Sequence, residues 1–330
     1  MDPLERKILG SSGLEVTRLG LGCAALGGLY GDIPDEQAHA VVQRALALGL
    51  NLLDTAPLYG SGKSEMRLGQ ALAGVPRENY VLATKVGRVL VPATGKKSRE
   101  SIFGNLPPLD PVFAFSYDGV MRSFEASLER LQVERIDILH IHDPDEHWEE
   151  AIGGAYPALD KLRGEGIIRA VSAGMNQWEM LARFAREGDF DCFLLAGRYS
   201  LLDQSSLEEL LPLCLEKNIG IMAGGTYNSG ILAKGSQDKP TYNYQEAPSA
   251  IVEKARSLEA VAARHQVSLK AAASQFALAH PAIATIIPGT RQPDRVEENA
   301  ALLRQDIPAA FWEEIRSEAL IHSEAPVPGA

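Results

Sequence analysis

The chain has 330 residues, 45% of them hydrophobic and 23% charged, and its 32 Lys and Arg against 43 Asp and Glu give a formal net charge of −11. A chain of this length hides roughly three quarters of its unfolded surface, and this composition excludes disordered, collagen-like and coiled-coil chains. The acidic balance makes nucleic acid and anionic membrane poor partners and points to a small-molecule ligand.

In chain order, the opening Met1-Asp-Pro-Leu-Glu-Arg-Lys7 carries no apolar stretch of the signal-peptide kind. No run of about 18 apolar residues predicts a membrane span. Cys23, Cys192 and Cys214 are odd in number and form no CxxC pair or metal-ligand spacing, so they read as reduced, buried thiols. A cytoplasmic location is expected, and no bound metal.

Strands are predicted over 18–26, 51–56, 80–86, 136–142, 167–174, 192–198, 220–224 and 285–289. The stretches 35–48 and 116–131 have the apolar spacing of helices, with Asp35 and Ser116 as N-caps and Gly49 just past the first helix. Eight strands, each followed by a helical pattern, predict an α/β fold, a single (β/α)8 TIM barrel spanning 1–330. A doubly wound two-domain sheet is the competing layout, but no Pro/Gly/Ser linker divides the chain. Two long loops break the rhythm, 88–115 and 225–248, and both leave the C-terminal face of the strands, where barrel active sites are built. The tail 322–330 is expected to fray. No internal repeat or low-complexity tract is visible.

The first strand contains Gly20-Leu-Gly-Cys-Ala-Ala25, a formal match to the dinucleotide fingerprint G-x-G-x-x-A. The helix that should open at once waits until about Asp35, and 38–47 holds no acid, so a tight strand and its loop explain these glycines better. More informative is Asp54-Thr-Ala-Pro-Leu-Tyr59-Gly-Ser-Gly-Lys-Ser64-Glu65-Met-Arg-Leu-Gly69. Asp54 ends the second strand, Tyr59 follows in its loop, Lys85 lies in the third strand and His142 ends the fourth. A tyrosine with a pKa of about 10 is a poor acid or base at neutral pH. A nearby lysine is expected to favour tyrosinate, a carboxylate balances that lysine, and a histidine can orient a substrate oxygen. Each residue alone has an ordinary structural explanation; their joint placement points to catalysis.

The segment from Asp54 to Gly69, with Lys85 and His142-Asp-Pro-Asp145, resembles the aldo-keto reductase superfamily. The similarity runs from Arg6-Lys-Ile-Leu-Gly to Ile287-Pro-Gly-Thr-Arg-Gln-Pro-Asp-Arg295-Val-Glu-Glu298-Asn299. The resemblance implies a barrel that binds a nicotinamide dinucleotide without a Rossmann domain. It makes Tyr59 the catalytic acid/base, Lys85 and Asp54 its tuners, and His142 the group that positions substrate. It also implies cofactor contacts from Asp54, Ser229, Gly230, Leu232, Pro288, Gly289, Thr290, Arg291, Arg295, Glu298 and Asn299.

The chain departs from the pattern around the nicotinamide. The family's Ser-Asn pair after the fifth strand falls on Gly174 and Met175, with Asn176 one place later. Its glutamine falls on Ala196 and its stacking tyrosine on Gly224. Asn176 either takes over the carboxamide or caps the helix that starts near Gln177. Gly289 stands where many relatives carry a lysine against the 2′-phosphate, which favours NAD over NADP, although Arg291 and Arg295 leave NADP open. The stretches Gly224-Gly-Thr-Tyr-Asn-Ser-Gly-Ile-Leu232 and Gly174-Met-Asn-Gln-Trp178 are similar to a bacterial subgroup of aldose 1-dehydrogenases, of the L-fucose or D-threo-aldose type, and pyridoxal 4-dehydrogenase. That similarity implies oxidation of a C1 hemiacetal hydroxyl to a lactone, with Tyr59 as base. Trp148 is either a sugar-stacking residue or a packing anchor. The alternatives are an NADPH-dependent carbonyl reductase, a pyridoxal 4-dehydrogenase and a nucleotide-sensing regulatory subunit.

Overall fold

The computed structural model describes residues 1–94 and 102–329. It opens with an antiparallel hairpin, β1 (Arg6–Ile8) against β2 (Glu15–Thr17). There follow β3 (Leu21–Gly22), β4 (Leu52–Asp54), β5 (Val81–Val86), a second hairpin of β6 (Arg88–Pro92) and β7 (Leu109–Phe113), then β8 (Ile138–His142), β9 (Ala170–Met175), β10 (Cys192–Ala196) and β11 (Gly220–Gly224). A small hairpin of β12 (Thr241–Tyr242) and β13 (Gln245–Glu246) precedes β14 (Ile283–Ile286). Eight of these form one parallel sheet in the order β14-β11-β10-β9-β8-β5-β4-β3. The longer helices follow the sheet strands and cover the outer face. β5 and β8 are buried along their whole length, as strands sandwiched between helices and an interior must be.

The sheet curls until its edges meet, but they do not share the full ladder that the barrel expectation implied. Two isolated parallel bridges, Leu19 with Ile286 and Gly22 with Gly289, join them. The buried guanidinium of Arg18 reinforces the seam by donating to Leu278, Ile283 and Ala284 carbonyls at 2.5, 2.7 and 2.9 Å. A Cβ on Gly22 would sit 2.6 Å from the Ile287 carbonyl oxygen, so this glycine serves close strand approach rather than a phosphate turn. The opposite, N-terminal end of the strands is filled by the first hairpin, whose Leu9, Leu14 and Val16 pack on Leu52, Ile138 and Met222.

Local boundaries follow the capping chemistry. Ser116 caps helix Tyr117–Leu131 by accepting from the Gly119 amide at 3.2 Å. Asp35 is the first residue of helix Asp35–Ala47 rather than its cap, since Pro34 occupies that place and the Asp35 carboxylate is turned to Arg67 Nε, 2.7 Å away. The loop predicted over 88–115 holds the β6–β7 hairpin, with 95–101 outside the described residues. The loop over 225–248 holds a helical turn, Ile231–Lys234, and the β12–β13 hairpin. The tail does not fray as expected: Ala325 is buried and its carbonyl accepts from Arg316, because Ile321, Ala325 and Val327 join the main core. All three cysteines are buried and unpaired. Among the described residues no helix is long and apolar enough to cross a membrane.

The Ser64-Glu65 and Arg67 portion of the conspicuous motif works as a clamp. Glu65 is wholly buried on helix Lys63–Leu72, accepting from Arg130 Nε at 2.6 Å and Thr84 Oγ1 at 2.7 Å. Arg67 ties the same helix to the Leu26 and Ile33 carbonyls, both at 2.6 Å. Replacing Glu65 by Ala strands the Arg130 charge and should cost about 3 kcal/mol of unfolding free energy, read by urea denaturation. A loss under about 1 kcal/mol would mean that the pair does not anchor this helix.

Candidate active site

Asp54, Lys85 and His142 arrive at the C-terminal ends of adjacent strands because the β4–β5–β8 register is parallel, pairing Asp54 with Ala83 and Lys85 with His140. Lys85, only 1% exposed, donates to Asp54 Oδ1 at 2.8 Å, Asp54 Oδ2 at 2.7 Å and the Thr55 carbonyl at 2.9 Å. Those three acceptors use all three ammonium protons. Burial alone would push the Asp54 carboxyl up, but Lys85 and His140 beside it outweigh that and hold it below the usual carboxylate range.

His140 was not singled out from the sequence. It alternates with His142 along one strand, so both point into the sheet's interior, and that period of two was the available signal. Its Nε2 lies 3.3 Å from Asp54 Oδ1 while its Nδ1 meets Ser172 Oγ at 2.7 Å. Burial lowers its pKa against the pull of Asp54.

Tyr59 stands on the loop after β4. The Lys85 ammonium lies 4.9 Å from its ring centroid, and the His142 ring meets it edge-on, 5.9 Å away at 89°. Phe103 stacks on it at 6.1 Å. The net shift of the Tyr59 phenol runs opposite to the lowering expected from Lys85. Burial, followed by the negative charge of Asp54, raises Tyr59 well above its ordinary value, and Lys85 has spent its protons elsewhere. His142 is driven well below the ordinary imidazole value by burial and by the neighbouring Arg88 and Lys85 charges, so it is neutral at pH 7. The Tyr59 loop is seated by backbone contact: Gly60 has φ +65°, and a Cβ on Gly27 would lie 2.5 Å from the Tyr59 carbonyl carbon.

From Asp54 and Tyr59 a cleft of about 570 Å³ runs across the strand ends. Among the predicted cofactor residues, Asn176, Ser229, Gly230, Pro288, Gly289, Thr290, Arg291, Arg295 and Asn299 line it. Leu232 does not, being buried in the core beneath the turn, and neither does Glu298, which is engaged by Lys270 at 2.8 Å and by Arg295. Asn176 does not cap the helix that starts at Trp178, which has no side-chain cap; its amide donates to the Ala196 carbonyl at 2.8 Å. Trp148 is outside the cleft, packed on Phe184 at 4.6 Å with Arg183 lying 3.8 Å over its ring, so the packing alternative is the one observed.

Sequence reading missed Thr226, Asn228 and Lys270, which also line the cleft. Thr226 Oγ1 and Asn228 Oδ1 are buried without a hydrogen-bond partner, and Gly22, Gly197, Gly224, Gly225 and Gly289 give the lining stretches of bare backbone among side chains such as Leu194, Ala196 and Ile287. Orphaned polar atoms beside stretches of bare backbone suit a long polar ligand such as a nicotinamide dinucleotide. Among the described residues no His/Cys/Asp/Glu cluster could hold a metal ion.

An Ala at Gly27 should dislodge the Tyr59 loop and lower the melting temperature by several degrees, whereas Ala at Gly153, with nothing within 4 Å of its Cβ, should not. Equal melting temperatures for the two variants, in a thermal scan, would contradict the seating.

The profile described as the Aldo/keto reductase family matches residues 18–319. The chain is 39% identical to the pyridoxal 4-dehydrogenase of Microbacterium luteolum, covering 96% of this chain and 98% of that protein. It is 36% identical to a D-threo-aldose 1-dehydrogenase of a Pseudomonas species, covering 94% and 96%. Among solved structures, the holo form of an aldo-keto reductase from Bacillus halodurans superposes with a TM-score of 0.77 at 25% identity, covering 98% of each chain.

Proposed function

The chain belongs to the aldo/keto reductase family, and from that premise we propose that it oxidises the C1 hydroxyl of a cyclic aldose to a lactone on a (β/α)8 barrel, with NAD as the preferred acceptor. The reading rests on one observation above others. Tyr59 lies under the charge of Lys85 and edge-on to a neutral His142, at the inner end of a cleft lined in part by bare backbone.

In this reading a bound nicotinamide supplies the hydride acceptor. Neutral His142 holds the reacting hydroxyl by hydrogen bond without adding a charge to the site. Tyr59 takes the hydroxyl proton during oxidation and returns it during reduction. Asp54 holds Lys85 in place, and the ammonium stabilises the phenolate through space as it forms. Asn176, Ser229, Gly230, Gly289, Thr290 and Asn299, with Thr226 and Asn228, are the proposed dinucleotide contacts.

The NAD preference is supported by the charges lining the cleft. Arg295 and Lys270 are both engaged by Glu298, and Arg291 donates to the Tyr30 carbonyl at 3.1 Å. A 2′-phosphate there would compete with a carboxylate for its cations, and Gly289 offers none of its own. A second substrate reading, oxidation of the pyridoxal hemiacetal, is favoured by the 39% identity to a pyridoxal 4-dehydrogenase. Both substrates present a hydroxyl on a ring hemiacetal carbon, so one site geometry suits either.

Three outcomes are expected. With L-fucose, D-arabinose, L-xylose, D-galactose and pyridoxal offered in turn, NAD should be reduced faster than NADP by at least one aldose; turnover confined to NADPH and plain aldehydes would remove the dehydrogenase assignment. Tyr59→Phe should keep cofactor affinity near that of the parent and lose at least ~10²-fold in kcat. Finally, because burial holds the Tyr59 phenol high, oxidation should accelerate as pH rises through neutrality into the alkaline range, while reduction stays flat from about pH 6 to 8. A limb near pH 6.5 in the reductive profile would contradict a neutral His142.

A further inference from the structure

The residue after His142 has no role in the scheme above, and its geometry is unusual. Asp143 adopts a left-handed backbone, φ +43°, a conformation that few non-glycine residues take without local compensation. Its amide donates to the Gly174 carbonyl at 3.2 Å, fixing the turn at the end of β8. This backbone turns the carboxylate back toward the site, where Oδ2 lies 3.4 Å from His142 Nε2. A third of the side chain is exposed, in contrast to His142 and Lys85 beside it.

Arg88 steers this carboxylate. Its guanidinium lies 3.6 Å from Asp143 Oδ2, donates to the His142 carbonyl at 3.1 Å and rests 4.7 Å over the Phe113 ring. Phe113 in turn stacks on Phe115 and His147, so the arginine is held from the β6–β7 hairpin. A buried ion pair made only for stability gains little. This one leaves its acidic member partly open and beside the nitrogen that is read above as holding the reacting oxygen.

We propose that Asp143, oriented by Arg88, is the specificity residue that accepts a hydrogen bond from a second hydroxyl on the carbon next to the reacting one. The inference deepens the aldose reading and rests on it for the identity of the reacting atom. Asp143 Oδ2 and His142 Nε2 lie 3.4 Å apart, close enough for a vicinal pair of hydroxyls to offer one oxygen to each group. Tyr59 and Tyr244, both of which line the cleft, lie near enough to feel the charge of Asp143. A site built to bond a hydroxyl discriminates strongly against the analogue that lacks it, because the polar group is then left without a partner.

The test compares kcat/KM for hydroxylated and plain substrates in both directions: D-glyceraldehyde against propanal in reduction, and an accepted aldose against its 2-deoxy analogue in oxidation. The parent enzyme should prefer the hydroxylated member by at least tenfold, and Asp143→Asn should bring that ratio at least tenfold closer to one, chiefly through KM. Arg88→Lys should erode it less. A parent enzyme that does not distinguish the pairs, or an Asp143→Asn variant that keeps the ratio, overturns the proposal. So does an equal loss on both members, which would assign Asp143 to positioning His142. Absence of aldose oxidation alone counts against the dehydrogenase reading, and the aldehyde ratio then still decides the role of Asp143.

Discussion

A lysine and an aspartate that share almost no water organise this molecule. Removing both charges from solvent costs several kcal/mol each, and the cost is offset only because the Lys85 ammonium finds three acceptors at bonding distance while the carboxylate takes two of its protons. Such a pair tolerates little misplacement. It therefore fixes β4 against β5 at their C-terminal ends and, through His140 and Ser172, extends the constraint to β8 and β9. Four strands of the sheet are held in register by one chain of polar contacts, and the candidate site is the exposed end of that chain.

The loop that carries Tyr59 obeys a different constraint. It is pressed against the backbone at Gly27, tied through Thr55 Oγ1 to Ser64 Oγ at 2.8 Å, and flanked by a helix that Glu65 and Arg67 tie down. A phenol set this way has protein close on several sides and the Asp54 charge nearby, which raises its pKa. The lysine beneath it acts as a fixed charge rather than as a hydrogen-bond partner. The site thus has two sources: a buried charge pair comes from the strands, and the phenol from a glycine-seated loop.

The parts of this arrangement that could be read in the sequence are those written in side-chain pattern. Short stretches such as Val81–Val86 and Ile138–His142 open on apolar residues that mark buried strands, and Lys85 and His142 near their ends stand out against that background. The first hairpin escaped because Arg6–Ile8 is exposed throughout and only three residues long. The β6–β7 hairpin escaped because Pro92 and Pro111 argue against a strand, and they are tolerated here in a two-stranded ribbon with open edges. The cleft was hardest to read, since much of its lining is backbone and residues such as Asn228, whose left-handed conformation no side-chain period announces. Trp148 misled for the opposite reason: proximity in sequence to His142 says nothing about which side of the sheet a helix turn will face.

The hairpin that fills the N-terminal end of the strands has a consequence for the order of assembly. Its apolar residues rest on the starts of strands spread across the whole sheet, and Gly10 fits between the backbones of Asp191 and Gly220, where a Cβ would lie 2.0 Å from the Asp191 oxygen. During synthesis these residues precede the strands that receive them, and that surface is not complete until about two hundred more residues have followed. The hairpin must therefore wait for a floor built later, and its seating reports that the central strands have already come together.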